Sequence, residues 1–177
     1  MIVYSPSPVL QTARLRLRPT RRNDAPRIAM LANDPGVVRM TGSMPLPYGL
    51  ADAEALLSHA SENDPSREAL FAIDHPQEGL IGTIGLSHNP EGRAELGYWL
   101  GRPYWGQGYA TEAACATLGY AADVWGRRQI AAGHHADNDA SGWVLVKAGF
   151  LYTGVVQRTY SRARAGDVPT RMMIWLA

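Results

Sequence analysis

The sequence predicts an α+β domain whose mixed central sheet is flanked by helices. Three observations carry the prediction. Leu70 to Leu100 holds three short apolar segments joined by tight turns, the pattern of an antiparallel meander. The last of these segments, a glycine turn, an alanine-rich helix and Gln129 to Gly133 then form a strand–helix–strand unit long enough for a parallel crossover. Finally, Phe150 to Gln157 and Arg171 to Leu176 read as a closing antiparallel pair. No repeat, low-complexity tract or linker interrupts the order, so residues 1–177 read as one domain.

The elements follow in sequence. Met1 to Leu10 does not read as a signal peptide, because it lacks a basic start and Ser5-Pro-Ser-Pro8 breaks any apolar run. Thr12 to Arg18 alternates strictly. Leu15 and Leu17 lie on one face and the arginines on the other, which predicts a half-buried strand with a wet arginine face ended by Pro19. Asn23 or Asp24 caps a helix that enters through Pro26 and runs to about Ala32. Asp34-Pro-Gly36 breaks it, and Val37 to Met40 forms a short turn. Gly42 to Gly49 is a proline-rich loop whose Met44, Leu46 and Tyr48 offer an apolar lining for a ligand. Asp52 to Asn63 is a helix, with Ala53, Leu56, Leu57 and Ala60 on one side. Leu70 to Asp74, Leu80 to Leu86 and Glu95 to Leu100 are the meander strands, with turns at His75 to Gly79 and His88 to Gly92. Tyr109 to about Trp125 is helical, with small residues that let it lie close on a sheet. Asn138 or Asp139 caps the last helix, and Gly149 stops it. Arg158 to Arg164 reads as a basic loop between the closing strands.

Composition limits what such a domain does. The chain has 177 residues, 46% hydrophobic and 19% charged, the range of a soluble globular protein with a sizeable core. A net charge of +1 gives no electrostatic reason to expect a nucleic-acid partner. No stretch approaches the ~20 apolar residues of a membrane span. The single cysteine, Cys115, excludes an internal disulfide and a cysteine metal cluster, and reads as a small buried side chain. Together these point to a cytoplasmic protein without a metal.

Glu95 to Glu112 carries the chemistry. Gly106 and Gly108 remove side chains where the chain turns into a helix. A glycine turn feeding a helix N-terminus aims free N–H groups and about half a positive charge at one point, so it suits a phosphate-bearing cofactor. A phosphate loop of the NTPase kind needs Lys and then Ser or Thr after its second glycine, but Tyr109 and Ala110 stand there. A dinucleotide-binding fold places its glycine turn after the first strand, and this one comes late.

Two signatures together resemble those of the GNAT-type N-acetyltransferases. One is Tyr98-Trp-Leu followed by Tyr104 to Ala113, and the other is Asp137 to Ser141 followed by Lys147 to Phe150. The chain is most similar to the branch that includes the ribosomal-protein N-terminal acetyltransferases. The resemblance implies the GNAT-type acyl-CoA N-acyltransferase fold and acetyl-CoA as acetyl donor. The acceptor it implies is a primary amine on a small molecule or a peptide, a protein N-terminal amine among them. Homodimers are common in that family. The resemblance puts the coenzyme A pyrophosphate on backbone amides around Gly106 to Ala110, with Trp105, Gln107, Gly108, Tyr109 and Thr111 about it. It also pairs the pantetheine arm with the strand that ends at Trp99 and Leu100. Pro103 stands where the family's loop pattern has Gln or Arg, which removes one side-chain contact and leaves the backbone donors.

Acyl transfer to an amine needs the amine's proton removed and the departing thiolate protonated. Glu95 is the leading candidate base, and His134 or His135 the rival. Many relatives carry an acid tyrosine where this chain has Leu145. Ser141 therefore takes that role, as in the N-terminal acetyltransferase branch, and Asn138 holds the pantetheine or a water while it also caps the helix. Trp99 and Tyr104 either line the acceptor channel or pack in the core. Arg158, Arg162, Arg164 and Arg171 either attract phosphate or form a solvated surface. A non-catalytic acyl-CoA-binding module on the same fold is the alternative to an enzyme.

Overall fold

The structure, a computed structural model, describes residues 8–89 and 91–177. The signal-peptide reading covers Met1 to Leu10, and the turn at His88 to Gly92 includes Pro90, so both fall in part outside the described residues.

Alternating apolar residues build one eight-stranded mixed sheet. In chain order the strands are β1 (Leu10–Gln11), β2 (Arg16–Pro19), β3 (Ala69–His75), β4 (Gly79–His88), β5 (Ala94–Leu100), β6 (Gln129–His135), β7 (Leu151–Ser161) and β8 (Gly166–Leu176). Their spatial order is β1-β2-β3-β4-β5-β6-β8-β7. The meander β3–β4–β5 is antiparallel, β5 and β6 are parallel, and β8 returns antiparallel to β6. The helices are α1 (Ala25–Ala32), α2 (Pro35–Val38), α3 (Leu50–Glu62), α4 (Tyr109–Asp123) and α5 (Asp139–Lys147). The meander, α1, α3, α4, β6 and α5 agree with the sequence reading to within a few residues; the strand expected over Thr12 to Arg18 is confined to Arg16–Pro19 with β1 ahead of it, Pro35–Val38 is helical where a break was expected, and β8 begins at Gly166 and not at Arg171.

Strand periodicity divides the core between the two faces of the sheet. Phe71 and Ile73 of β3 and Leu96 and Leu100 of β5 pack with Ala114, Leu118 and Ala121 of α4 and Leu145 of α5. Ala72 and Trp99 point to the other face. There they meet Ile28 of α1, Leu57 of α3, and Met44 and Tyr48 of the proline-rich loop. Leu145, the position expected to hold an acid tyrosine in many relatives, is a fully buried core residue.

Three further details differ from the sequence reading. The arginine face of β2 is not uniformly wet, because Arg18 is buried. It donates to Asp24 at 2.8 and 2.8 Å and to Asp74 at 2.6 and 3.1 Å. Burial pushes the Asp24 carboxyl up, but the Arg18 fork and the Arg21 N–H outweigh it and hold it below its usual value. Cys115 is exposed, because the buried face of α4 runs through Ala113, Ala114, Thr117 and Leu118 and turns position 115 outward. Finally, Arg158 to Arg164 is only in part a loop. β7 continues to Ser161, paired with Gly166, so the turn is confined to residues 162–165.

Candidate active site

Gly108 sits at the N-cap of α4 with φ +81°, and Gly106 has φ +74°. Residues with a Cβ rarely adopt these angles. The turn they make leaves Trp105 to Gly108 exposed, at the positive end of a 15-residue helix. The turn is braced from behind by a segment far away in the sequence. Glu112, in the first turn of α4, accepts hydrogen bonds from Thr12 Oγ1 (2.6 Å), the Arg14 N–H (2.8 Å) and Arg14 Nε (2.7 Å). Arg14 Nη1 then donates to the Gln107 carbonyl at 2.9 Å, and its guanidinium lies 4.7 Å from the centre of the Tyr109 ring. Sequence reasoning missed this clasp. Thr12 and Arg14 read there as strand residues, and nothing in their spacing points to Glu112.

Beside the turn the sheet opens. Among the described residues, β5 and β6 share one paired position, Glu95 with Ala131. Gly101 N–H donates to the Ile81 carbonyl of β4 at 2.9 Å, so the other side of that peptide, the Leu100 carbonyl, points away from β4. Trp105 Nε1 donates to it at 2.8 Å, which ties the turn to the strand end. By strand alternation the Tyr98 N–H and C=O point the same way, into the gap. An extended chain laid in this gap would find strand-like partners, the geometry of β-augmentation.

The gap belongs to a cleft of about 1430 Å³ lined by Glu95, Tyr98 to Leu100, Trp105, Gly106, Gly108 to Thr111, Asn138 and Ser141. The structure thus brings most of the predicted site residues together. Gln107 is exposed on the turn, and its side chain donates to the Pro103 carbonyl at 3.1 Å. Trp99 is 8% exposed and packs chiefly in the core, leaving one edge on the cleft. Tyr104 also reaches the cleft, but its hydroxyl accepts from Arg27 at 2.8 Å.

Asn138 Oδ1 accepts from the Ser141 N–H at 3.2 Å, so it caps α5 and fixes Ser141 in the first turn. The Ser141 hydroxyl meets Tyr98, with Oγ 2.7 Å from the phenol oxygen. Tyr98 is a second residue that sequence reasoning missed as a site group. Its place on the α4–α5 face of β5 was legible from alternation, but its partner was not. Burial pushes the Tyr98 phenol up to about 12, and the Ser141 hydrogen bond opposes this in part.

Glu95 lies on the opposite face of β5 from Tyr98, on the side of α3 and the proline-rich loop. Burial, and then the charge of Glu91, push its carboxyl above the ordinary value, with Asn89 opposing. The rival histidines are buried rather than on a loop surface. His134 Nδ1 lies 2.9 Å from the His135 carbonyl and Nε2 lies 3.0 Å from the Tyr152 hydroxyl. His135 Nδ1 lies 3.2 Å from the Arg39 carbonyl, and burial lowers its affinity for a proton.

The β7–β8 hairpin walls the cleft beside the proline-rich loop. Arg162 N–H donates to the Gly42 carbonyl (2.9 Å), Arg164 Nε to the Arg39 carbonyl (2.8 Å), and Arg164 also pairs with Asp137 at 2.8 Å. These two arginines hold loops together, and Arg158 Nη2 bonds the Asp167 carbonyl at 3.0 Å. Met44 and Tyr48 are buried and line the cleft, whereas Leu46 is exposed. No helix among the described residues is long and apolar enough to cross a membrane.

Comparison with known proteins identifies the family and the fold. Residues 14–151 match the family model described as an acetyltransferase (GNAT) domain. The chain is 30% identical over 161 residues to the uncharacterized N-acetyltransferase YoaA of Bacillus subtilis (strain 168), covering 85% of this chain and 87% of that one. Its fold is similar to that of RimL, the ribosomal L7/L12 alpha-N-protein acetyltransferase, in complex with coenzyme A. The TM-score is 0.81 at 16% identity, over 96% of this chain and 98% of that one. It is also similar to the spermidine N-acetyltransferase of Vibrio cholerae in complex with CoA and spermine. There the TM-score is 0.75 at 22% identity, over 93% and 96% of the two chains.

Proposed function

We propose that this chain, which belongs to the GNAT acetyltransferase family, transfers the acetyl group of acetyl-CoA directly to a primary amine in a ternary complex. The observation that carries the reading is the opening of β5 from β6 after Glu95, directly beside the glycine turn. The turn offers N–H donors to a pyrophosphate at a helix N-terminus. The gap offers Tyr98 and Leu100 main-chain groups to an amide-bearing arm, and Trp105 to Thr111 flank both. Phosphate, arm and thioester of acetyl-CoA match these features in order.

The two faces of β5 then divide the work. Ser141, with Asn138 holding its helix turn, stands on the α4–α5 face and protonates the departing thiolate. Glu95 stands on the opposite face, toward the proline-rich loop, where the amine enters. A carboxylate held above its ordinary pKa by burial and by Glu91 takes the ammonium proton, directly or through water. The amine thus approaches from one side of the strand and the thiol leaves on the other. RimL, named for an α-N-protein activity, supports a peptide N-terminal amine as acceptor, and a polyamine is the acceptor to test beside it.

The test is thiol release from acetyl-CoA with alanine- and serine-terminated peptides and with spermidine. Ser141→Ala lowers kcat by roughly 100-fold or more while acetyl-CoA affinity stays within about twofold. Lost affinity with unchanged kcat would make Ser141 a cofactor contact only.

A further inference from the structure

Ser141 is a poor acid by itself. An aliphatic hydroxyl binds its proton more tightly than a phenol or a thiol, so giving it to a thiolate leaves an unfavourable alkoxide unless another group fills it. The structure supplies such a group. Tyr98 Oη lies 2.7 Å from Ser141 Oγ, well inside the O–H···O range, and 3.3 Å from the Ser141 carbonyl oxygen. The two residues come from elements distant in sequence, the middle of β5 and the first turn of α5. Each is fixed independently. Tyr98 packs against the core beneath α4 and α5, and Ser141 is held through its own N–H by Asn138. The fold thus sets the backbone positions from which the two hydroxyls meet.

We propose that Tyr98 is the positioning residue for proton delivery to the leaving thiolate, acting through Ser141. This rests on the reading of Ser141 as the thiolate's acid. The Tyr98 hydroxyl donates to Ser141 Oγ, which directs the serine's own proton away from Tyr98 and toward the cleft. When the tetrahedral intermediate collapses, the C–S bond breaks and its electron pair stays on sulfur. Sulfur takes the Ser141 proton, and Ser141 Oγ takes the Tyr98 proton. Tyr98 is left as a phenolate and is reprotonated from cleft water, which carries the proton that the amine lost. The ammonium proton taken by Glu95 passes to solvent; the amine nitrogen then loses its second proton as the amide forms and one proton arrives on sulfur, so the cycle balances with one proton released. The phenol suits this role because it is protonated throughout the neutral range and is a stronger acid than the serine it refills.

The experiment follows thiol release from acetyl-CoA at saturation. The acceptor is an alanine-terminated pentapeptide or spermidine, with slow hydrolysis by water as the acceptor-free reaction. Tyr98→Phe keeps the ring in the core and removes the hydroxyl. It is expected to lower kcat roughly 10- to 100-fold, the worth of one charge-assisted hydrogen bond, with acetyl-CoA affinity within about twofold. In mixtures of light and heavy water, the wild type gives the curved dependence of two protons moving together and Tyr98→Phe the straight line of one. Added to Ser141→Ala, Tyr98→Phe has little further effect. Should Tyr98→Phe fold poorly, 3-fluorotyrosine at position 98 keeps every contact and changes only the phenol's acidity, and the rate shifts with it. An unchanged kcat in Tyr98→Phe, or one lowered with the wild-type curvature retained, overturns the relay and leaves Ser141 as the acid. An unchanged kcat in Ser141→Ala overturns both.

Discussion

Glu112→Gln tests whether the glycine turn is held in shape from behind. Glu112 Oε1 accepts from Thr12 and from the Arg14 N–H, and Oε2 accepts from Arg14 Nε. A glutamine can keep its carbonyl at the first position. Its amide then faces the Arg14 Nε–H, donor against donor. The loss is one charge-assisted hydrogen bond, about 1.5 to 3 kcal/mol where fully buried. Arg14 is 47% exposed on its side chain against 16% for Glu112, so solvent screening puts the expected value at the low end, about 1.5 kcal/mol. For a chain of this size that lowers Tm by roughly 3 to 6 °C. The same change frees Arg14 from the helix and weakens its hold on the Gln107 carbonyl. If the turn then keeps its binding shape in about one molecule in five, acetyl-CoA affinity falls about fivefold. The pH dependence has a definite sign. Burial pushes the Glu112 carboxyl up, but Thr12 and Arg14 outweigh it and hold it below its ordinary value. Its stabilisation is therefore complete above the unfolded carboxylate's pKa, near ~4.3, and is lost as pH falls through the lower folded value. Glu112→Gln flattens that part of the profile. Thermal melts between pH 3 and 7 and calorimetric titration with acetyl-CoA measure both effects. Wild-type Tm together with wild-type affinity would refute the bracing role.

Other perturbations probe the remaining parts. Arg18→Met strands the buried carboxylate of Asp24 and the partly buried one of Asp74 and costs about 3 to 5 kcal/mol, read as a fall of the urea midpoint. Adding Asp24→Asn and Asp74→Asn recovers much of it, and a single-mutant loss under 1 kcal/mol would show that the triad is dispensable. Glu95→Gln lowers kcat by roughly 100-fold and removes the acidic limb of the kcat/KM profile. In the wild type that limb lies above the ordinary carboxylate range, because burial and then Glu91 raise the Glu95 pKa. An acidic limb that persists in Glu95→Gln assigns the base to another group.

Local patterns in the sequence went far toward the fold. Short apolar segments between turn signals located β3 to β5, and the glycine turn, the Asn138 cap and Gly149 marked the helix ends, because each signal is fixed by nearby backbone geometry. The failures share a cause. Arg18 alternates with Leu17 as a wet-face residue should, yet Asp24 in the next turn and Asp74 of β3 close over it, and strand periodicity carries no information about what covers a face. Residues 158–164 look like a loop by composition, but cross-strand pairing to Gly166–Pro169 extends β7 through Arg158 to Ser161 and leaves Arg162 and Arg164 in the turn. At the site, the residues of the turn and of the Asn138–Ser141 helix start were legible because their roles are local. The Glu112–Arg14 clasp and the Tyr98–Ser141 contact were not, since 98 and 43 residues separate the partners.

The central claim is that acetyl-CoA binds on the Gly106–Gly108 turn, and heat protection of Gly108→Val tests it most directly. Position 108 has φ +81°, and its nearest neighbour beyond the turn is Arg14 Nη2, 3.3 Å from where a Cβ would lie. Valine there strains the turn and displaces N–H donors from the ligand's path, while the core beneath α4 stays intact. Saturating acetyl-CoA is expected to raise the Tm of the wild type by several degrees and to leave that of the folded Gly108→Val protein unchanged. Equal protection of both proteins would contradict it and place the pyrophosphate elsewhere.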